Sequence, residues 1–73
     1  MESEEFLSKV AQAFGTVSPS DDDISTVLTI ASVAAHSSER KMAPIVCWLS
    51  AKAGISPNDA LEIVSRVVDG QLS

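Results

Sequence analysis

The sequence has one cysteine, one histidine, no tyrosine and three glycines among its 73 residues. A single cysteine permits no intramolecular disulfide, and with a single histidine it provides no cysteine- or histidine-rich metal site. No apolar run approaches the roughly 18 residues that a membrane-spanning helix requires. Three isolated glycines form no glycine-rich phosphate-binding loop. These absences predict a protein that binds no metal or cofactor and enters no membrane.

Basic residues are also few. Ten Asp and Glu stand against five Lys and Arg, which gives a formal net charge of -5 at pH 7. Residues 1–23 hold six of the acids and only one of the bases. Binding to a phosphate backbone depends on Lys and Arg, so we expect no nucleic-acid partner. The acidic N-terminus is unlike a signal peptide, which starts with positive charge, and predicts a cytoplasmic protein.

The chain is nevertheless rich in apolar residues, which make up 45% of it. This fraction is too high for a disordered segment. The length accommodates one small domain, so we predict that residues 1–73 form a single helical domain. A domain of this size buries only about 60% of its unfolded surface, so a partner that completes its core is attractive.

Apolar residues recur at helical spacing in four segments. Polar capping residues mark three predicted helix starts, namely Ser3, Ser20 or Asp21, and Ser56. Glycines mark three predicted helix ends, namely Gly15, Gly54 and Gly70. Pro44 fits the first turn of the third helix, where its missing N–H costs little. No segment alternates like an exposed strand. We therefore predict an all-α, small four-helix domain of the bundle type.

The third predicted helix is apolar nearly all round. Its apolar members are Met42, Ile45, Val46, Cys47, Trp48, Leu49, Ala51 and Ala53. A helix of this kind is either central in the fold or covered by a partner. We interpret Trp48 as a residue that packs in the core or at the edge of the domain, or alternatively as an interface anchor, because Trp is enriched among binding hot spots. This helix also supports one alternative function, a self-associating structural domain whose homodimer seam it forms.

The residues that carry catalytic chemistry are sparse. Nucleophilic catalysis needs a nucleophile, a base and an orienting group within reach, and Cys47 and His36 are the only candidates for the first two. An apolar helix around Cys47 is typical of a structural cysteine. Asp21, Asp22 and Asp23 lack the spacing of a calcium loop and are well placed to stabilise a helix start. We predict a non-enzymatic protein without catalytic residues or metal ligands.

The stretch from Leu49 to Ser56 resembles the turn of a helix-turn-helix motif, with Ile55 following Gly54. The helix that begins near Ser56 carries three acids against one base on its polar side. Reading a DNA groove requires donors and positive charge. A tight helical hairpin is therefore favoured, and a helix-turn-helix DNA-binding protein is the weaker alternative.

One polar cluster lies between the second and third predicted helices. It consists of His36, Glu39, Arg40 and Lys41. These side chains either complement the helix dipole and bond the last carbonyls, or form a corner that binds a partner or an anion. Both interpretations stay open. The cluster supplies the candidate partner- or anion-binding residues, with Trp48 as a candidate interface residue.

The segment from Val33 to Pro44, with the apolar helix that follows, resembles a small actinobacterial family of unknown function. Members of that family read approximately Val-Ala-His-x-x-Glu-Arg-Pro-x-Ala-Pro. The matching residues are His36, Glu39, Arg40, Ala43 and Pro44. Lys41 stands where the family has proline. The family occurs as a short free-standing protein or appended to molybdenum cofactor guanylyltransferases. The resemblance implies an accessory role in molybdenum cofactor biosynthesis, with such an enzyme or another protein as partner, and implies no catalysis here.

Overall fold

The computed structural model describes residues 1–70. Within them it contains four α-helices and no strand, which confirms the predicted all-α fold class. The helices are α1 (Ser3–Phe14), α2 (Asp21–Ser37), α3 (Met42–Lys52) and α4 (Pro57–Val68). None of these helices has the length and apolar character needed to cross a membrane.

Short-range side-chain hydrogen bonds fix the start of α2. The Ser20 hydroxyl oxygen accepts from the Asp23 backbone N–H at 3.0 Å. The Ser20 N–H donates to the Asp23 carboxylate at 3.4 Å, which completes a capping box. Ser56 caps α4 with a single bond of this kind, because its hydroxyl accepts from the Asp59 N–H at 3.3 Å and no reciprocal bond from the Asp59 side chain is formed. Both predicted N-caps are confirmed.

The prediction of Ser3 as an N-cap is wrong by one residue. Ser3 is the first residue of α1, and Glu2 occupies the cap position without a side-chain hydrogen bond. The Glu2 carbonyl accepts from the Phe6 N–H at 2.9 Å, so the helical hydrogen-bond ladder begins one residue earlier than predicted. Glu4 and Glu5 lie in the first turn, where negative charge is stabilising.

Glycines end α1 and α3 by adopting the left-handed conformation. Gly15 has φ 76° and Gly54 has φ 72°. After Gly54, the Ile55 N–H donates to the Ser50 carbonyl at 3.2 Å, and an equivalent bond follows Gly15. This pattern is the Schellman motif, and it satisfies carbonyls that the helix leaves without partners. The predicted ends at Gly15 and Gly54 are confirmed.

Helix α2 lies at the centre of the fold and packs against both α3 and α4. Its Ile30 is 1% exposed and is the largest fully buried side chain of the described residues. Ala34 on α2 and Ala60 on α4 are also buried, and small side chains of this kind let helices approach closely. Because only four side chains of the described part are buried, the core is thin.

Helix α3 is not central, although its composition allowed that interpretation. It contains no buried residue, because it packs against α2 along one side and leaves the others open. Trp48 is 59% exposed, which excludes the core position that the sequence allowed for it. Packing at the domain edge and a role as an interface anchor both stay open. The other interpretation, that a partner covers α3, stays a prediction.

Helix α1 lies to the side of the other three and packs against none of them as extensively as α2 packs against α3 and α4. The described chain measures 39 × 22 × 18 Å. Its radius of gyration of 13.1 Å exceeds the roughly 11 Å of a compact domain of this length. Only Ala11 of α1 is buried, whereas Phe6 and Phe14 are 55% and 80% exposed.

Candidate functional site

The polar cluster occupies the turn between α2 and α3. His36 lies in the last turn of α2, and Lys41 immediately precedes α3. All four side chains are exposed. The Lys41 ammonium lies 3.2 Å from the Glu39 carboxylate, which is an exposed pair of small energetic value. The structure therefore brings Glu39 and Lys41 together.

His36 and Arg40 are not joined to that pair. Within residues 1–70, neither side chain takes part in a hydrogen bond or an ion pair with another side chain or with a carbonyl at the end of α2. His36 lies where positive charge complements the dipole of α2. The carbonyl of Arg40 accepts from the Ala43 N–H at 3.1 Å and so helps to begin α3. The Arg40 guanidinium is left available for a carboxylate or a phosphate.

An apolar groove runs between α3 and α4, and we call it the α3–α4 groove. Its wider part has a volume of about 620 Å³. That part is lined by Ala34, Ser37, Ser38, Met42, Val46, Val64, Val67 and Val68. Its second part has a volume of about 340 Å³. That part is lined by Val46, Leu49, Ser50, Ala53, Ile55, Ala60, Ile63 and Val64. Because Val46 and Val64 line both parts, the two parts adjoin each other.

Exposed apolar side chains extend this groove across the outer side of α3. Ile45, Trp48 and Leu49 are all exposed there. The Lys52 ammonium lies 5.0 Å from the centre of the Trp48 ring, within the range of a cation–π contact. Contiguous exposed apolar surface of this kind marks sites that bind proteins or other apolar surfaces.

The nucleophile and base candidates are not paired. The Cys47 sulfur lies 3.9 Å from the Val27 carbonyl oxygen and is directed at α2. His36 is exposed at the far end of α2. Within residues 1–70, no group of three potential metal-ligating side chains comes together. What the described surface offers is apolar area with a polar rim.

Sequence analysis singled out α3 and missed the contribution of α4 to this surface. Ile63, Val67 and Val68 are exposed along the groove, although they belong to the apolar stripe of α4. The sequence signal for this contribution is the width of the apolar stripe of α4. Its two edges are formed by Ile63 and Val67 and by Ala60 and Val64. One neighbouring helix does not cover a stripe of this width, so part of it is expected to stay exposed.

A family model described as "Domain of unknown function (DUF6457)" matches residues 1–70. The chain belongs to this family. The match spans all four helices and therefore includes both the polar cluster and the α3–α4 groove. No curated protein and no solved structure matches the chain.

Proposed function

We propose that this chain is a non-enzymatic interaction domain that binds a protein partner through the α3–α4 groove and the outer side of α3. The observation that carries this proposal is the exposure of α3, the helix in which no residue is buried. Burying apolar surface is worth about 25 cal/mol per Å². A partner that covers Ile45, Trp48 and Leu49 therefore gains substantial binding free energy.

The partner we propose is a molybdenum cofactor guanylyltransferase, which gives the domain an accessory role in molybdenum cofactor biosynthesis. The support is the resemblance of the segment from His36 to Pro44 to a family that occurs with those enzymes. Ser37 and Ser38 line one end of the groove, so the polar cluster adjoins it. An apolar centre with a charged rim is the usual composition of a protein interface.

The test is an amide-correlation NMR titration of the domain with the guanylyltransferase of the same organism. We expect shifts or broadening in two places, from His36 to Trp48 and along the groove side of α4. An unrelated acidic protein at the same concentration serves as the control. No perturbation at high micromolar enzyme contradicts this partner, and perturbation confined to α1 contradicts this surface.

A pair of variants tests the polar cluster. Arg40→Ala is expected to weaken binding about 10-fold or more, because a hydrogen bond to a charged group contributes roughly 1.5–3 kcal/mol. Lys9→Ala is the matched control, since Lys9 is an exposed cation on α1 whose ammonium lies 3.3 Å from Glu5. Equal weakening by both variants indicates general charge attraction and contradicts a specific contact of Arg40.

A further inference from the structure

We propose that α1 of one copy of this chain occupies the α3–α4 groove of a second copy, and that the exchange is reciprocal. The result is a symmetric dimer in which each groove is filled by the other chain's α1. This inference rests on the proposed function, because it takes the groove as a binding surface and names one occupant.

Helix α1 carries an apolar stripe whose two ends, Phe6 and Phe14, are left open by the other residues of 1–70, whereas Val10 between them is half-buried. Phe6, Val10 and Phe14 follow one another at intervals of four residues, so they lie on one face of the helix. Phe6 and Phe14 are exposed, whereas Ala11, on the adjacent side, is buried. Residues 1–70 therefore present both an amphipathic helix that they do not cover and an apolar groove that they do not fill, the pair of elements that helix-in-groove recognition requires.

The dimensions of the helix and the groove agree. Helix α1 has 12 residues and α3 has 11, so their lengths are about 18 Å and 17 Å at 1.5 Å per residue. Phe6 and Phe14 are separated by about 12 Å along the helix axis. The groove has two wide parts, one beside Met42 and the other beside Leu49, about 10 Å apart along α3. Each phenyl ring thus meets one wide part.

Charge fixes the direction of the inserted helix. The first turn of α1 carries Glu4 and Glu5, whereas the only charged side chain of α3 is Lys52 in its last turn. An arrangement antiparallel to α3 places these opposite charges together, at the end of the groove where the positive N-terminus of α4 also lies and Asp59, in the first turn of α4, is the one opposing charge. The dipoles of α3 and α4 oppose each other, so they do not decide the direction. In this arrangement Phe6 lies near Leu49, and Phe14 lies near Met42 and Val67.

The reciprocal form follows from the area that a stable dimer needs. A standard protein interface buries about 1,600 Å² of surface in total. In a reciprocal dimer, two equivalent contacts share this area, so each contact buries about 800 Å². Half of that surface belongs to α1 and half to the groove, so each α1 contributes about 400 Å². The exposed parts of Phe6 and Phe14 alone supply on the order of 250 Å² of that contribution. One contact is therefore too small for a stable dimer, and two together suffice.

The first experiment measures the oligomeric state by analytical ultracentrifugation over a range of concentrations. The wild-type chain is expected to be a dimer, and Phe14→Lys and Val67→Lys are each expected to be monomers. Loss of one hot-spot contact weakens binding about 30-fold. Each variant loses two such contacts per dimer, so the dimer dissociation constant is expected to rise about 1,000-fold. Val17→Lys is the matched control, because Val17 is 86% exposed but lies outside the stripe, so this variant is expected to remain a dimer.

Fold is retained in these variants, because Phe14 and Val67 are exposed and a lysine near a helix C-terminus is favourable. Circular dichroism checks this point. If the variants lose helix, Phe14→Ala and Val67→Ala replace them, with the same direction of effect expected.

The second experiment mixes Phe14→Lys with Val67→Glu, a variant that is expected to be monomeric for the same reason as Val67→Lys. In a mixed dimer, α1 of the Val67→Glu chain meets an unchanged groove, and in the other contact the introduced lysine faces the introduced glutamate. Because both contacts then contribute, mixing is expected to restore dimers that neither variant forms alone. A monomeric wild type, a Phe14→Lys variant that stays dimeric through a seam of α3, or a mixture without dimers overturns the proposal. The guanylyltransferase and α1 of a second copy compete for the same groove, so the two proposals are tested separately. Binding of the enzyme by a monomeric wild type refutes the exchange alone. A dimeric wild type whose monomeric Phe14→Lys variant, with its groove open, does not bind the enzyme refutes that partner alone.

Discussion

Replacement of Ile30 by alanine is expected to bring the domain close to unfolding. Ile30 is 1% exposed and lies on α2, the helix that packs against both α3 and α4. Because few side chains share the burial, removing most of this one takes away a large part of the core. The free energy of unfolding therefore falls, because the few other buried side chains do not replace the contacts of Ile30.

The magnitude follows from the atoms removed. Isoleucine has three carbon atoms more than alanine, which are worth about 2.4 kcal/mol at roughly 0.8 kcal/mol each, before the cost of the cavity. With the cavity, the expected loss of unfolding free energy is about 3 kcal/mol. A domain of this size has a total of roughly 4 kcal/mol, so the variant keeps about 1 kcal/mol. Urea unfolding followed by circular dichroism measures the loss as a midpoint lowered by about 3 M.

Leu28→Ala is the matched control for Ile30→Ala. Leu28 is an aliphatic residue of the same helix, but it is 64% exposed, so we expect a change of about 0.5 kcal/mol or less. Measurements at two protein concentrations separate the contribution of association, which depends on mass action. Equal losses for the two variants refute the reasoning, because they mean that the outer side of α2 is as well covered as its inner side.

Three further predictions concern single features. Gly54→Ala is expected to lower the unfolding free energy, measured by urea titration, by about 1 kcal/mol. The φ angle of Gly54 is 72° and an added Cβ meets no atom within 4 Å, so the cost comes from the backbone conformation and not from a clash. An unchanged urea midpoint contradicts this account. Ser20→Ala is expected to cost about 1 kcal/mol in thermal unfolding through loss of the capping box, whereas Ser18→Ala, in the preceding loop, is expected to cost nothing measurable. Acrylamide is expected to quench the fluorescence of Trp48 efficiently in monomeric Phe14→Lys, because the indole is exposed; weak quenching there indicates that the ring is covered.

The helix boundaries were largely predictable because the signals that set them are local. The hydroxyl of Ser20 bonds a backbone N–H three residues later, and Gly54 sets its own φ through the absence of a side chain. Such interactions are visible in a few consecutive residues. The observed start of α1 lies one residue before the predicted one. No side chain caps this helix, so no local signal in the sequence marks Glu2 as the residue where its backbone hydrogen bonds begin.

The arrangement of the helices was not predictable in the same way. The apolar composition of α3 allowed it to be the central helix, yet α2 is central, with 17 residues against 11. Which helix is covered depends on contacts between residues far apart in the chain, and periodicity does not report those contacts. The α3–α4 groove arises from how both helices sit on α2, so neither sequence segment contains it alone.

The polar cluster shows a second limit of sequence reasoning. His36, Glu39, Arg40 and Lys41 are close in sequence, but only Glu39 and Lys41 form a contact. Ordering long exposed side chains costs conformational entropy, which weak pairs in water do not offset. Closeness in sequence therefore indicates a shared location on the surface without indicating an assembled site.

The lateral position of α1 has a consequence for the dynamics of the molecule. A helix with few packing contacts opens at a free energy below that of global unfolding. In the monomeric Phe14→Lys variant, backbone amides of α1 are therefore expected to exchange with deuterated solvent well before the amides around Ile30, in two kinetic groups separated by the loop of residues 15–20. Motions of this kind take place in microseconds to milliseconds, so α1 can leave one neighbour and meet another while α2 keeps α3 and α4 in place.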